Sequence, residues 1–551
     1  MQKTCTITGQ PFIITEEDKA FYEKMEVPKP TLCPSERLRR RLSHRNERFL
    51  YHRKCDLTGK QIISSASPEK TYPIYDIEAW WSDKWNPLDY GRDFDFTRSL
   101  FEQMKELMNA VPRMALQQQL PMENSEYCNC AASNKNCYLV FSANYCEDCY
   151  YGSWINYSND CVDNENSMKN TLCYETIDCE GCYNVIYGEE SLNCSDSAFI
   201  KNCISVKNSL FCTNMKHVEY HIFNQPVSKE EFIAYKKKLN LGSWSHFQAA
   251  VKSFEEFKAK SFVKFMYGTS NEKVTGNYNS NDRNCSDIYE SIDCEDVRYA
   301  NNLKVQVKDC MDYSYWGNNA SLIYECHACG HDVYNLRFSS LCWSGCSNLT
   351  YCNHVFSSQD CFGSVGLKKA KFCILNKQYT EEEYNELVPK IIDHMKKTGE
   401  WGEFFPTALS PFAYNETLAQ EHLVLSKEEA LARGYEWQDP DGNNNYQGPQ
   451  LSLADHISNV EDDITSKIFT CEATGDLYKI IPQELKFLRK MNLPLPRRSP
   501  DQRHFDRLKR RNPRQLWERN CTDCKLEIQT TYAPERPETV LCEKCYLAKI
   551  N

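Results

Sequence analysis

The sequence predicts a mainly β protein, with tandem parallel β-solenoid repeats that carry helical caps and are flanked by two α+β modules of the zinc-ribbon type. Three observations support this prediction. A cysteine- and tyrosine-rich stretch at 136–224 is repeated at 284–376. Within the first copy, every gap between successive cysteines is a multiple of three residues. Residues 5–80 align without gaps with residues 471–546, at a constant offset of 466.

Length and composition predict a multidomain protein. Its 551 residues are enough for three or four domains. The first residues lack the pattern of a signal peptide, and no run of about 18 apolar residues predicts a membrane span. We therefore expect a cytoplasmic protein with no membrane partner. Its 30 cysteines should then be mostly reduced thiols or metal ligands rather than disulfides.

The duplications define the expected domain boundaries. The predicted segments are a degenerate zinc-ribbon-like module with a basic helix (1–81), a helical connector (82–127), a first solenoid repeat with its capping helix (128–240), a helical linker (241–270), a second solenoid repeat with its capping helix (271–396), an irregular linker (397–465) and a C-terminal zinc-ribbon module (466–551).

The cysteine spacing predicts the solenoid. Cys137, Cys149, Cys161 and Cys173 are twelve residues apart, and neither a helix nor an isolated strand has this period. Asn, Asp, Ser and Gly are expected at the corners. The spacing allows coils of either about 12 or about 24 residues. Most of these cysteines are expected to be small, buried core residues, with metal sites and disulfides as the alternatives.

Helices are predicted around the repeats. Helical periodicity indicates a connector helix at 98–111 and a linker helix at about 245–258. A helix that begins with a capping box should close the open end of each repeat. The linker 397–465, which includes DPDGNNNYQGPQ at 439–450, is expected to be irregular and partly flexible. The capping boxes pair Ser228 with Glu231, Thr380 with Glu383 and, in the linker, Ser426 with Glu429.

Each end module is predicted to have a short helix and then a longer basic helix, at about 35–54 and 501–519, with Pro513 bending or interrupting the later one. Helical spacing predicts that the arginines share one face, which is a candidate contact for nucleic acid or a partner. We favour salt bridges to the acidic repeats, because a basic face on an acidic chain first meets its own carboxylates. These arginines are Arg37, Arg41, Arg45 and Arg48, with Arg503, Arg507, Arg511 and Arg514.

The C-terminal module carries the strongest site signal. Cys521 and Cys524 form one close pair, and Cys542 and Cys545 form another after seventeen intervening residues. Four thiolates at this spacing predict a closed tetrahedral site for a structural Zn²⁺ ion.

The matching positions of the N-terminal module have lost this ligand set. They hold Cys55, Thr58, Asp76 and Ala79. One thiolate and one carboxylate do not make a strong zinc site, so we expect a ribbon without metal. The adjacent Trp80 and Trp81 are expected to supply core in compensation.

A second candidate metal site lies in the second repeat. Cys326, Cys329 and His331 fall within six residues, and thiolate and imidazole are ligands for zinc or iron. The alternative is a pair of inward cysteines beside two corner histidines, His327 and His331.

Three stretches carry a resemblance to a known group. They are 375–379 (LNKQY), 400–406 (EWGEFFP) and 528–537 (IQTTYAPERP). The chain resembles the uncharacterised Cys-rich zinc-ribbon repeat proteins of candidate-phyla-radiation bacteria. The resemblance implies this architecture and a cytoplasmic setting, and it implies no activity. It also implies full cysteine pairs where this chain has Thr8, Thr58 and Asp76, which argues against metal at those positions.

Three hypotheses for function follow. The first is a non-enzymatic, zinc-containing scaffold that assembles with itself or with a protein partner, since no phosphate-binding glycine loop or nucleophile motif occurs in the sequence. The second is an RNA- or ribosome-associated protein that binds through its zinc ribbon and arginine-rich helices. The third is a thiol redox or metal-storage protein.

Overall fold

The computed structural model describes residues 1–439 and 452–550. Of the linker predicted to be irregular and partly flexible, 397–465, residues 440–451 lie outside the described residues. Within the described ranges, no helix is long and apolar enough to cross a membrane.

Two ladders of strands form the middle of the molecule, and their pairing is parallel except at the last strand of each ladder. We call them the first arm (117–226) and the second arm (268–378). The strands of the first arm are Gln118–Gln119, Ala131–Ala132, Glu147–Tyr150, Ser153–Asn156, Asn159–Val162, Glu165–Met168, Ile186–Glu189, Ala198–Lys201, Leu210–Thr213, His221–Ile222 and Gln225–Pro226. Those of the second arm are Gly268–Thr269, Glu272–Asn277, Asn279–Ser280, Arg283–Tyr289, Ile292–Gly317, Ala320–His327, Val333–Arg337, Ser347–Thr350, Gln359–Phe362, Lys371–Ile374 and Lys377–Gln378.

The register of the ladders sets the repeat length. In the first arm, Cys149 lies opposite Cys161, which is twelve residues later, and the pairing is parallel. In the second arm, Leu349 lies opposite Cys361 at the same interval. Some pairs of the second arm are thirteen residues apart, as Leu336 and Leu349 are. The chain therefore returns to the same point after about twelve residues, not 24.

A repeated backbone conformation explains the multiples of three. From Cys130 to Phe223 every third residue has a positive φ, for example Asn136, Leu139, Ser142, Tyr145 and Asp148. Each such residue turns the chain, so twelve residues make four short sides. Asn and Asp tolerate this left-handed conformation better than most residues, which agrees with their expected corner role.

One residue of each triplet points inward. Cys137, Val140, Ala143, Cys146 and Cys149 are consecutive members of this series, and each is at most 2% exposed. The interior is so narrow that small side chains fill it, and cysteine is a small apolar residue. The prediction that most repeat cysteines are buried core residues is therefore confirmed. None of the cysteines in the described ranges forms a disulfide.

Thiol labelling of the native protein should modify few of the 30 cysteines. Only Cys524 is exposed in the described structure, while Cys130 and Cys545 are partly exposed. Burial also raises the pKa of several interior thiols, to about 12 for Cys285, which disfavours the reactive thiolate. Mass spectrometry after iodoacetamide treatment should find adducts at these three positions at most, and at all cysteines in denaturant. Native labelling across 137–212 would contradict the inward placement.

The two end modules share one order of elements, as their sequence alignment predicts. Each has a hairpin, a helix, a second helix, a second hairpin, a strand and a helix. In the N-terminal module these are Gln2–Thr4 with Pro11–Ile13, Glu16–Lys24, Pro34–Leu42, Tyr51–Lys54 with Gln61–Ser64, Ile74–Tyr75 and Ile77–Trp81. In the C-terminal module they are Phe469–Thr470 with Leu477–Tyr478, Pro482–Met491, Pro500–Arg510, Trp517–Asn520 with Glu527–Thr530, Thr539–Leu541 and Glu543–Ile550.

The basic helices are shorter than predicted. They span Pro34–Leu42 and Pro500–Arg510, and we call them the N-terminal and C-terminal clamp helices. The predicted ranges 35–54 and 501–519 were wrong in their second halves, which contain a turn and a ribbon strand. In these second halves the chain forms ribbon strands and ion pairs with the two arms, and these contacts prevent the helix that the spacing predicted. The later arginines of each set therefore do not lie on a helix, and Pro513 follows the helix instead of bending it.

The connector and linker helices begin and end within two residues of the predicted positions. The connector helix spans Leu100–Ala110 and the linker helix spans Trp244–Lys258. The helices after the arms, Lys229–Leu239 and Glu381–Thr398, both begin with the expected capping box. Phe232 of the first packs edge-on against Tyr220 of the last coil. Only one of the two tryptophans expected to supply core does so, since Trp80 is buried and Trp81 is 45% exposed.

The segment 397–465 is more ordered than predicted. Its described part holds two short α-helices, Leu418–His422 and Lys427–Ala432, where one was expected. It also holds the 3₁₀ turns Thr407–Leu409, Tyr414–Glu416, Ile457–Asn459 and Asp462–Ser466, and a further 3₁₀ turn, Pro87–Tyr90, precedes the connector helix. Phe404, Phe405 and Tyr414 are at most 1% exposed. The burial of these aromatic residues fixes the segment against the N-terminal clamp helix and the second arm.

Each end module contacts both arms. Ile74–Tyr75 of the N-terminal module pairs in parallel with Arg113–Met114, just before the first arm. Thr539–Leu541 of the C-terminal module pairs in the same way with Phe262–Lys264, just before the second arm. The clamp helix of each module instead packs on the other arm. Each end module thus joins the two arms, by a strand next to one arm and by a clamp helix on the other.

Candidate functional site

The four C-terminal cysteines converge at the ends of the second hairpin and of the last strand. Cys521 follows the strand Trp517–Asn520, and Cys542 follows the strand Thr539–Leu541. One candidate ligand atom from each of the four cysteines lies within 4.8 Å of all the others. Among the described residues, this is the one group of three or more His, Cys, Asp or Glu side chains that could hold a metal ion.

The donor set fits a tetrahedral thiolate centre. A metal bound at about 2.3 Å from each sulfur places the sulfurs about 3.8 Å apart. The sulfurs of Cys524 and Cys542 are 3.6 Å apart. The N–H of Cys542 donates to the Cys521 sulfur at 3.3 Å. Burial alone would raise the pKa of Cys521, but N–H groups of Cys542, Cys524 and Asp523 lower it to about 6, whereas hydrogen bonds among the sulfurs raise the pKa of Cys545 to about 12. Cys521 thus ionises readily, and a bound cation would favour the thiolate at the other positions.

The equivalent position of the N-terminal module uses hydrogen bonds instead of a ligand set. The N–H groups of Thr58 and Asp76 donate to the Cys55 sulfur at 3.4 and 3.3 Å. The Thr58 hydroxyl donates to the Asp76 carboxylate at 3.1 Å. The same ribbon shape is therefore held without four thiolates, as the substitutions in the sequence indicate.

The second candidate metal site is not assembled. Cys326 and Cys329 are inward residues with 0% exposure. The side chain of His331 is 57% exposed and lies 3.1 Å from Asp332. His331 has a positive φ, so it occupies a corner of the coil while the two cysteines lie inside it. Closeness in sequence did not bring the three side chains together, because successive residues of a triplet point to different sides of the coil.

The first two arginines of the N-terminal set bind the second arm. Arg37 contacts Asp312 at 2.8 Å, and Arg41 contacts Asp312 and Glu325 at 3.2 Å each. Both arginines are at most 2% exposed. Burial raises the pKa of Glu325 to about 7, although the charge of Arg41 acts in the opposite direction.

The matching arginines of the C-terminal set bind the first arm in the same geometry. Arg503 and Arg507 each contact Asp163 at 2.8 Å, and Arg507 lies 3.6 Å from Glu175. Asp163 and Glu175 are the repeat equivalents of Asp312 and Glu325. The two clamp helices therefore bind corresponding carboxylates on opposite arms.

The later arginines lie where the two arms meet. Arg511 bonds to Asp178 of the first arm and Glu290 of the second, and Arg514 contacts Glu290 at 2.6 Å. Arg45 lies over the rings of Trp154 and Tyr315, one from each arm.

Arg48 completes the set. It donates to Ser153 of the first arm and contacts Asp501 of the C-terminal clamp helix. All eight arginine side chains are at most 9% exposed. In this conformation they do not form an exposed basic face.

Some contacts of this junction were missed by the sequence analysis. His504 lies between Glu165 and Glu421, at 3.1 and 3.4 Å. Arg510 contacts Glu175 and Glu189. The matching positions of the N-terminal module hold Leu38 and His44, so neither residue belongs to the set of arginines that the alignment of the modules brings into register.

Comparisons with known proteins add little to this geometry. No family model and no curated protein match the chain. One solved structure with some similarity is described as a "putative acetyltransferase" from Desulfovibrio desulfuricans G20. It covers 42% of this chain and 65% of that chain, with 10% sequence identity and a TM-score of 0.09. A TM-score this low carries no argument about fold or function.

Proposed function

We propose that the protein is a non-enzymatic scaffold built from two β-solenoid arms, with one structural Zn²⁺ ion held by Cys521, Cys524, Cys542 and Cys545. The observation that carries the proposal is the burial of all eight arginines against carboxylates, hydroxyls and aromatic rings of the same chain. Those side chains hold the arms together. The outer faces of the arms remain as long surfaces for contacts with another copy or a protein partner.

Zinc is the metal that the donor set favours. Four thiolates in a closed arrangement are typical of structural zinc, which has no open position for catalysis. The ribbon packs on Val263 and pairs with the strand just before the second arm. The ion would therefore stabilise the start of that arm.

The alternatives have less support. An RNA- or ribosome-binding role through the arginines requires that their side chains be exposed. In this structure they are buried in contacts within the chain. A thiol redox or metal-storage role requires accessible thiolates, whereas the repeat cysteines are buried. The cytoplasmic setting and the relation to zinc-ribbon repeat proteins of candidate-phyla-radiation bacteria remain parts of the proposal.

Two solution measurements test the proposal on the full chain. Sedimentation should show species heavier than the 64.4 kDa monomer, because the arms are proposed to self-assemble. Retention on RNA at near-physiological salt should be absent, and it should stay absent when Arg45 and Arg511 are changed to glutamate. A strict monomer at high concentration would argue against self-assembly. The RNA-binding hypothesis would be favoured if the logarithm of the binding constant fell linearly with the logarithm of the salt concentration and binding disappeared in the arginine variants.

A further inference from the structure

A cavity lies beside the N-terminal module, away from the cysteine centre. Its volume is about 560 Å³, within the range of small-molecule sites. Its walls come from the N-terminal ribbon, the connector helix and the segment that follows residue 407. The residues that matter for its chemistry are Ser67, Lys70, Tyr72, Lys105, Arg113 and Trp437.

Arg113 is a buried cation on this wall with no acidic partner. It is 9% exposed, and in the part of the chain that the structure describes it forms no ion pair with a carboxylate. Its Nε and Nη2 atoms donate to the Met108 carbonyl at 3.3 and 3.1 Å. Its guanidinium lies 4.0 Å from the centre of the Tyr72 ring. A buried charge normally has a counter-ion, because desolvation without one is costly.

The fold of the ribbon does not require an arginine at this position. Arg113 pairs with Ile74, and the equivalent pair in the C-terminal half joins Val263 with Val540. Val263 is 6% exposed, so an apolar residue serves the same strand contact. The buried cation on this strand is therefore an addition in one half only. A smaller cavity, of about 240 Å³, lies beside Val263 in the C-terminal half.

The other groups on the wall favour an anionic ligand. Lys105 is exposed and bonds to no described residue, and Lys70 is paired with Glu436. Glu69 is the second carboxylate on the wall, so three cations face two carboxylates. The Ser67 hydroxyl forms no hydrogen bond with a described residue. Tyr72 and Trp437 add aromatic surface.

We infer that this cavity binds a small phosphorylated metabolite, with its phosphate monoester near Arg113 and Lys105. A guanidinium and an ammonium group together match the two negative charges of a phosphate monoester. The aromatic side chains would contact the rest of the ligand. This inference is independent of the scaffold proposal.

Calorimetric titration of the full chain with adenosine monophosphate tests the inference. Arg113→Gln should weaken binding about 10- to 100-fold, the usual effect of losing a charged hydrogen bond. Lys105→Gln should weaken it about 3-fold, since an exposed charge contributes less. Lys397→Gln removes an exposed lysine of the helix Glu381–Thr398, outside the cavity, and should bind like the wild type.

The comparison ligands and variants define the outcomes that overturn the inference. Adenosine should bind at least ten times more weakly than its monophosphate, and succinate should not compete with it. Equal binding of adenosine or succinate, or no binding of the monophosphate at millimolar concentration, would exclude phosphate recognition. If thermal melting shows that Arg113→Gln is unfolded, the affinity of Lys105→Gln becomes the test. A Lys105→Gln protein that binds the monophosphate with wild-type affinity overturns the inference.

Discussion

Replacing Cys542 by serine should release the metal and unfold the C-terminal ribbon. Four-ligand zinc sites contribute about 10–16 kcal/mol to the folding of zinc-finger peptides, which a ribbon of this size cannot recover from its small apolar core. The sulfur of Cys542 is 3.6 Å from that of Cys524. Removing the Cys542 sulfur therefore leaves three of the four ligands. Elemental analysis should find one zinc per chain in the wild type and none in the variant.

The effect should extend to the strand just before the second arm. Phe262–Lys264 pairs with Thr539–Leu541, and Phe265 donates to the Leu541 carbonyl at 2.9 Å. Hydrogen exchange at these backbone amides should therefore increase when the ribbon unfolds. Cys55→Ser is the matched control, because Cys55 occupies the equivalent position of the ribbon without a ligand set. That variant should keep one zinc per chain. A Cys542→Ser protein that retains zinc and a protected ribbon would show that the four cysteines do not form the site.

Replacing Arg507 by glutamine should lower the free energy of unfolding by about 3–5 kcal/mol, the usual cost of removing one partner of a buried ion pair. Arg507 is 0% exposed, and so is its partner Asp163. Arg507 also donates to the Tyr151 carbonyl at 3.0 Å. The variant would leave a buried carboxylate with Arg503 as its remaining cation. Urea unfolding followed by intrinsic fluorescence measures the change.

The control for this variant lies on the same helix. Lys509 is exposed, so Lys509→Gln should change the free energy of unfolding by about 0.5 kcal/mol at most. Arg41→Gln tests the same contact in the other half, where Arg41 binds Asp312 and Glu325, and it should be similarly destabilising. If Arg507→Gln unfolds at the same urea concentration as Lys509→Gln, the clamp helices do not hold the arms.

Local and periodic features of the sequence were predictive. The capping boxes at Ser228 and Thr380 begin helices where expected, because a cap depends on residues within one turn. The spacing of Cys137, Cys149 and Cys161 predicted stacked parallel segments, because a column of like residues requires a fixed return of the chain. The helical prediction for Arg45 and Arg48 failed, because their positions are set by contacts with distant parts of the chain.

The sequence by itself determined the two duplications, the inward cysteine columns and the four cysteines that could hold a metal. Spacing alone specifies such features, since they depend on residues that are close in sequence or strictly periodic. Only the tertiary structure decided that the repeat is about twelve residues, that Cys326 and His331 face different sides, and that each clamp helix binds the distant arm. Asp163 and Asp312 are equivalent in the repeat, so either could have paired with either set of arginines. The choice between them depends on the path of the connecting segments and on the burial that this path allows, which no local pattern records.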